Sequence, residues 1–419
     1  MEALGANAED SGERMPEAYR DNVLIEACGP ILSPGQLARQ LTRMPARPKE
    51  DVSSLPRHIL VHEPPNICRM HIPTKAGLEL AQAIDVMIRQ GYVHRKPSSP
   101  LTWQRIYDGP PPDTAELPIQ LGASVVGLSG SGKSRAIERA LSLKQQVIIH
   151  ERFPHMAGAV QQILWLKIDV PPSGTLTELV RAMAEATDRA LGSDYGVQFR
   201  RARESAWSMA RRWLKVIEGH FLGVLVLDEL QNLFKLETKA VRSAQRSGGD
   251  RPPLRIKDDE ALKLILTLTN SSMIPVVVCS TPDGMHAIGS RMSTSQRLVT
   301  SGFHHIQHAT TAEDEHFRKF LFPRLVDFQW LPQRLTATDE LRSTFHRLTA
   351  GIPRIAMALW VLANQRAISR GAQGLTAEDL EQVAATSLGP LQPAVQALLS
   401  HDPRRMRLYE DLLPVIWPS

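Results

Sequence analysis

Cysteine is scarce in this chain, with three among 419 residues: Cys28, Cys68 and Cys279. An odd count at wide spacing argues against a disulfide framework and against a paired-cysteine zinc site. It predicts reduced thiols in a cytoplasmic protein. Long apolar runs are missing as well, so no membrane span is expected. The first twenty residues are acidic and polar and lack the basic start and apolar centre of a secretory leader. Charge of one sign does not dominate: Lys and Arg number 49 against 44 Asp and Glu, a net +5. That balance allows a polyanionic partner without requiring one. There is no internal repeat and no low-complexity tract. His304, His305 and His308 lie close in sequence, but no cysteine or carboxylate set accompanies them. They read as strand and loop residues, since zinc usually takes four ligands.

What is present is an alternation of short apolar runs and amphipathic stretches, the pattern of a parallel sheet with crossover helices. Strands are expected at Ser124–Val126, Val147–Ile149, Ile163–Ile168, Phe221–Leu227 and Ile274–Cys279. Helices are expected at Lys133–Leu143, Leu176–Leu191, Ser205–Gly219 and Ala261–Asn270. Upstream, proline clusters interrupt the chain, and one helix stands out at Thr74–Gln90. After about Glu313 the pattern turns helical, with segments at 315–322, 340–349, 354–368, 377–385 and 391–400.

The segment Gly127-Leu-Ser129-Gly130-Ser131-Gly132-Lys133-Ser134 fits G-x-x-x-x-G-K-[ST] without a mismatch. Glycines let the backbone N–H groups approach phosphate oxygens closely. The helix that follows presents its positive end to the same anion. Lys133 would neutralise the β- and γ-phosphates, the Ser134 hydroxyl would ligate Mg²⁺, and Arg135 lies just beyond. About a hundred residues later, Val224-Leu-Val-Leu-Asp228-Glu229 reads as a buried strand ending in two acids. Asp228 would hold the metal, largely through its water shell, and Glu229 would polarise the attacking water. A third apolar strand ends in Ser280-Thr281, either of which would read the γ-phosphate. The chemistry implied is Mg²⁺-dependent ATP binding and hydrolysis.

Together these elements resemble the AAA+ ATPases. The resemblance implies an α/β P-loop NTPase core with a central parallel sheet flanked by helices, followed by a small helical lid. It divides the chain into a tail (1–20), an N-terminal accessory region (21–112), the core (113–312), the lid (313–400) and a C-terminal segment (401–419) that is a candidate docking peptide. In that family an arginine at the start of a lid helix touches the nucleotide, and Gly351-Ile-Pro-Arg354 matches that pattern.

Four further segments narrow the likeness: Leu227-Asp-Glu-Leu-Gln-Asn-Leu233, Trp165-Leu-Lys-Ile-Asp169-Val-Pro-Pro, Ser280-Thr-Pro-Asp283, and Ile88 through Pro97. In combination, over roughly residues 55–370, the chain resembles the TnsC/TniB type, the target-selection regulators of bacterial DNA transposons. That resemblance implies rings or filaments on duplex DNA that link a target selector to a transposase, with ATP hydrolysis controlling disassembly. It also implies an arginine finger given to a neighbouring subunit, with Arg297 the first candidate and Arg291 the second. The paired arginines usual after the fourth strand are replaced here by Gln296 through Gly302. Slow or partner-stimulated hydrolysis is the corresponding expectation.

DNA phosphates are expected to meet the basic stretch containing Lys235, Lys239, Arg242 and Arg246, with Arg152 as a second point of contact. Two other readings stay open. One is another AAA+ DNA protein, an initiator or helicase loader, although the fifty or so residues after Ile368 are few for a winged-helix domain. The other is a nucleotide-gated scaffold that barely hydrolyses ATP.

Overall fold

A computed structural model describes residues 15–48, 54–108, 121–201, 204–235, 255–256, 259–270, 272–289, 296–406 and 409. Its strands are β1 (Gly122–Val126), β2 (Val147–His150), β3 (Val160–Ile163), β4 (Trp165–Asp169), β5 (Val224–Asp228), β6 (Phe234–Lys235), β7 (Arg255–Ile256), β8 (Val276–Ser280) and β9 (Phe303–His305). Five of them form a wholly parallel sheet in the order β4-β5-β8-β1-β9. The sheet is α/β in character, with helices on both faces.

The three inner strands are buried at every residue. Their near-continuous Val and Leu content follows, because both faces of a parallel sheet must be covered. The side chains alternate between two cores with the two-residue period of a strand. On one face Leu225, Leu227, Val276 and Val278 join the helices Leu176–Leu191, Ala206–Gly219 and Asp259–Asn270. On the other, Val224, Val226, Val277 and Cys279 meet the helices Lys75–Val93 and Lys133–Leu141. Helix Lys75–Val93 thus covers the sheet directly: Leu80, Ile84, Met87 and Ile88 share a core with Val125 and Val226.

The run expected as one strand from Ile163 to Ile168 is two strands. Leu164 breaks it by donating to the Gln146 carbonyl (2.8 Å) while accepting from Val224 (3.0 Å). Before that point β3 pairs antiparallel with β2; after it β4 pairs in parallel with β5. A single apolar run can serve two sheets when its hydrogen bonds change partner midway, and periodicity does not register such a change. His304 and His305 fall on the edge strand β9.

Beyond β9 the helices Asp339–Thr349, Pro353–Arg370 and Ala377–Ala385 pack around Phe345 and Trp360. Leu60, Ile67 and Met70 from the N-terminal part insert into the same core. No helix among the described residues is long and apolar enough to cross a membrane.

The N-terminal residues are held to the sheet-covering helix by Arg89, which is fully buried. Its guanidinium grips Asp85 (3.0 and 3.1 Å) and the Gly29 carbonyl (2.7 Å), and Lys144 also reaches Asp85 (2.5 Å). Removing one partner of a buried pair strands the other. Arg89→Met should therefore lower unfolding free energy by about 3 kcal/mol, measured by urea denaturation. A loss under about 1 kcal/mol would mean the pair behaves like a solvated surface contact.

Candidate functional site

Strand register decides what meets at the carboxyl edge of the sheet. Val126 lies opposite Ser280, and Leu227 lies opposite Val278. Parallel pairing therefore sets the first residues after β1, the end of β5 and the end of β8 side by side. Ligands of open α/β sheets bind outside this edge. Gly127–Ser134, Asp228–Glu229 and Ser280–Thr281, far apart in sequence, thus border one place.

The loop after β1 turns into helix Lys133–Leu141, with Gly132 in the left-handed region at its N-cap. Lys133 curls back, its Nζ donating to the carbonyls of Gly127 (2.7 Å) and Leu128 (3.0 Å). Ser129 is exposed at the loop tip, whereas Ser131 is buried and its Oγ finds no partner among the described residues. Arg135 points elsewhere, towards the Cys68 carbonyl (3.5 Å) and Glu138 (4.0 Å).

Asp228 is buried to 3% exposure. Burial pushes its pKa up, but hydrogen bonds from the Cys279 thiol and the Ser134 hydroxyl, with the Lys167 ammonium, outweigh this and hold the carboxyl below its ordinary value. The same burial, reinforced by the Asp228 charge, pushes the Cys279 thiol well up, so it stays a neutral donor. Asp228 is therefore an ionised carboxylate joined to the hydroxyl of the phosphate-loop serine, a hard oxygen donor set suited to Mg²⁺.

Glu229 is exposed and adopts a left-handed conformation (φ 56°). Its carboxylate accepts from the Gln231 side-chain amide. The carbonyl end of that amide accepts from Ser280 Oγ and the Thr281 N–H, each at 3.3 Å. Gln231 thus joins the end of β5 to the end of β8. Thr281 is 5% exposed, and its Oγ1 has no partner among the described residues. Two buried hydroxyls without partners, Ser131 and Thr281, face a cost that an acceptor-rich ligand such as a nucleoside triphosphate would remove. ATP with Mg²⁺ fits these residues.

The helical region reaches the loop through a tight turn. Ala350 and Gly351 are both left-handed, and a Cβ on Gly351 would lie 2.3 Å from the Ala309 carbonyl oxygen. The turn lets Pro353 open the next helix and brings the Arg354 N–H to the Gly130 carbonyl (3.3 Å). The exposed Arg354 side chain leaves from beside the phosphate loop.

Arg297 lies at the other end of the sheet. Its backbone carbonyl is packed against Gly122, the first residue of β1. The five residues of β1 separate it from the loop, roughly 15 Å at about 3.3 Å per residue. Arg297 is therefore not placed at the phosphate loop of its own chain. Arg152 sits in the connection between β2 and β3 and is exposed. Lys235 ends β6, while Lys239, Arg242, Arg246 and the alternative finger Arg291 lie outside the described residues.

Two residues were not singled out from sequence. Gln231 carried no signal beyond its place after the acidic pair. Lys167 is a charged residue inside an apolar strand, facing Asp228 at 3.2 Å; that mismatch was a usable cue.

Residues 120–288 match the family model described as AAA domain. No curated protein matches the chain. Similar solved structures include the Aeropyrum pernix ORC2 protein with ADPNP and ADP, at 12% identity and a TM-score of 0.41, covering 75% of this chain and 68% of that one. The ADP form of the same protein gives 13% identity and a TM-score of 0.38, covering 64% and 63%. Drosophila ORC bound to DNA gives 15% and 0.34, covering 73% and 66%. This chain spans about two thirds of the length of those structures. The segment that matches the AAA domain holds the phosphate loop, Asp228 and Thr281.

Gly130 has φ +81°, and a Cβ there would come within 3.1 Å of both the Arg354 Cβ and the Ile352 Cγ2. Gly130→Ala should weaken binding of a fluorescent ATP analogue about tenfold, because the left-handed strain and the displaced helix Pro353–Arg370 together cost about 1.4 kcal/mol or more. An unchanged dissociation constant would mean that this helix contact is irrelevant to the loop.

Proposed function

We propose that this protein is an Mg²⁺-dependent ATPase that assembles on duplex DNA as a cytoplasmic regulator of transposition, linking a target selector to a transposase. The observation that carries the ATPase reading is the strand register that brings the phosphate loop, the buried Asp228 and Thr281 to one edge, where Arg354 also arrives.

Bound MgATP supplies the electrophilic γ-phosphorus and the metal's charge neutralisation. The Lys133 ammonium exchanges the carbonyls of Gly127 and Leu128 for phosphate oxygens. The backbone of Gly127, Ser129, Gly130, Ser131 and Gly132 wraps around them, while Arg135 is turned away towards the Cys68 carbonyl. Ser134 and Asp228 would hold the metal. Glu229 leaves Gln231 to orient and polarise the attacking water. Thr281 contacts the γ-phosphate or that water, and Arg354 contacts the phosphates from the lid. Arg297 completes the site of a neighbouring subunit, so a lone protomer is a poor catalyst.

The transposition reading rests on the four segments that resemble the TnsC/TniB type. Lys235, Lys239, Arg242, Arg246 and Arg152 would neutralise DNA phosphates without reading bases, which suits a protein that accepts many targets. A second reading, a nucleotide-gated scaffold with little turnover, is favoured by the contact that holds Glu229 on Gln231.

ATP turnover with and without duplex DNA separates the two. Wild type should exceed Glu229→Gln by about a hundredfold when DNA is present, the usual scale for a lost general base. Equal rates under both conditions would sink the enzyme reading. Sedimentation with a non-hydrolysable ATP analogue and duplex DNA should show rings or filaments; a monomer there would remove the basis for a finger supplied in trans.

A further inference from the structure

Lys167 is one of the few charged side chains in the body of the sheet. It stands on β4 opposite Val226, one strand over from the segment that carries Asp228. Its ammonium makes three acidic contacts: Asp169 Oδ1 at 2.8 Å, Asp228 Oδ2 at 3.2 Å and Glu138 Oε1 at 3.9 Å. These carboxylates differ in surroundings. The side chain of Asp228 is 4% exposed, against 70% for Asp169 and 49% for Glu138. Water screens the outer two, so the ammonium matters most to the inner one.

Asp228 Oδ1 accepts the Glu229 N–H (2.9 Å). The other oxygen is turned towards Lys167. Beside the lysine a cavity of about 230 Å³ opens, lined by Lys167, Asp169, Glu185 and Arg189. The ammonium therefore already shares a second acidic seat on Asp169 and has room to move away from Asp228 while keeping it.

We propose that Lys167 is a positioning residue that competes with the divalent cation for Asp228 and thereby sets the Mg²⁺ concentration the site requires. The inference rests on the reading of Asp228 as the metal carboxylate. A cation brought to Asp228 meets a carboxylate whose charge the ammonium already half satisfies, and like charges at such range repel. Metal binding therefore drives Lys167 off Asp228, leaving it held by Asp169 and Glu138 alone. Loss of the ammonium strengthens metal binding. Loss of the outer seat at Asp169 weakens it, because Lys167 then has less reason to leave Asp228.

The test uses the full chain with Mn²⁺ as a paramagnetic probe, in the presence of a non-hydrolysable ATP analogue, with bound and free metal read by electron paramagnetic resonance. Lys167→Met should bind Mn²⁺ about tenfold more tightly than wild type, and Asp169→Asn about threefold more weakly. Opposite shifts from two neighbouring sites are not what a merely structural lysine produces. Unchanged or weaker binding by a folded Lys167→Met, or unchanged binding by Asp169→Asn, overturns the proposal. Should Lys167→Met lose its far-ultraviolet circular dichroism, the exposed Asp169→Asn carries the test alone. Asp228→Asn separates the two levels: if it binds Mn²⁺ as wild type does, the metal reading itself fails. If it loses Mn²⁺ while Lys167→Met gains nothing, only the competition fails.

Discussion

The parallel pairing of β5, β8 and β1 holds the rest of the molecule in place. Each of these strands is buried on both faces, so their side chains alternate between two cores and their register cannot slip. A slip by one residue would exchange Val277 with Val278 and reverse which core each fills. That constraint sets Ser280 opposite Val126 and sets Val278 opposite Leu227. The polar ends of the strands are then delivered together, because the chain direction is shared. Apolar packing thus positions the groups that carry the chemistry.

The helical region contributes to the same edge from outside. Two consecutive left-handed residues, Ala350 and Gly351, fold helix Pro353–Arg370 back onto the phosphate loop. The resulting contact between Arg354 and Gly130 is a backbone hydrogen bond, so it orients the helix whatever the side chain does. Residues Leu60, Ile67 and Met70 lie in the core of that region, while Leu80 to Ile88 lie against the sheet. One stretch of N-terminal chain therefore touches both bodies that border the site. A shift between them has to bend or carry that stretch.

Charge at the site is arranged in graded burial. Asp228 is enclosed, ionised and surrounded by donors from Ser134, Cys279 and Lys167. Glu229, the next residue, is exposed and held by a neutral amide. Adjacent carboxylates in such different surroundings are suited to different tasks. Gln231 lies between the second of these and the strand end at Thr281, where a γ-phosphate contact would be felt.

The sequence by itself determined most of the local structure. The apolar runs at 221–227 and 274–279 read as buried strands, and strands form there at Val224–Asp228 and Val276–Ser280; glycine with lysine and serine at 127–134 reads as a loop opening a helix. These are short-range properties: periodicity, backbone freedom and helix capping all act within a few residues. Only the tertiary structure decided that the run from Ile163 to Ile168 is shared between two sheets, since hydrogen bonds to Gln146 and Val224 are long-range. The same holds for the helix Lys75–Val93 as a cover of the sheet, for Arg297 at the edge away from the loop, and for Lys167 against Asp228. Each depends on which distant strand becomes a neighbour. A residue's own surroundings in sequence cannot encode that, because strand order emerges from packing the whole chain.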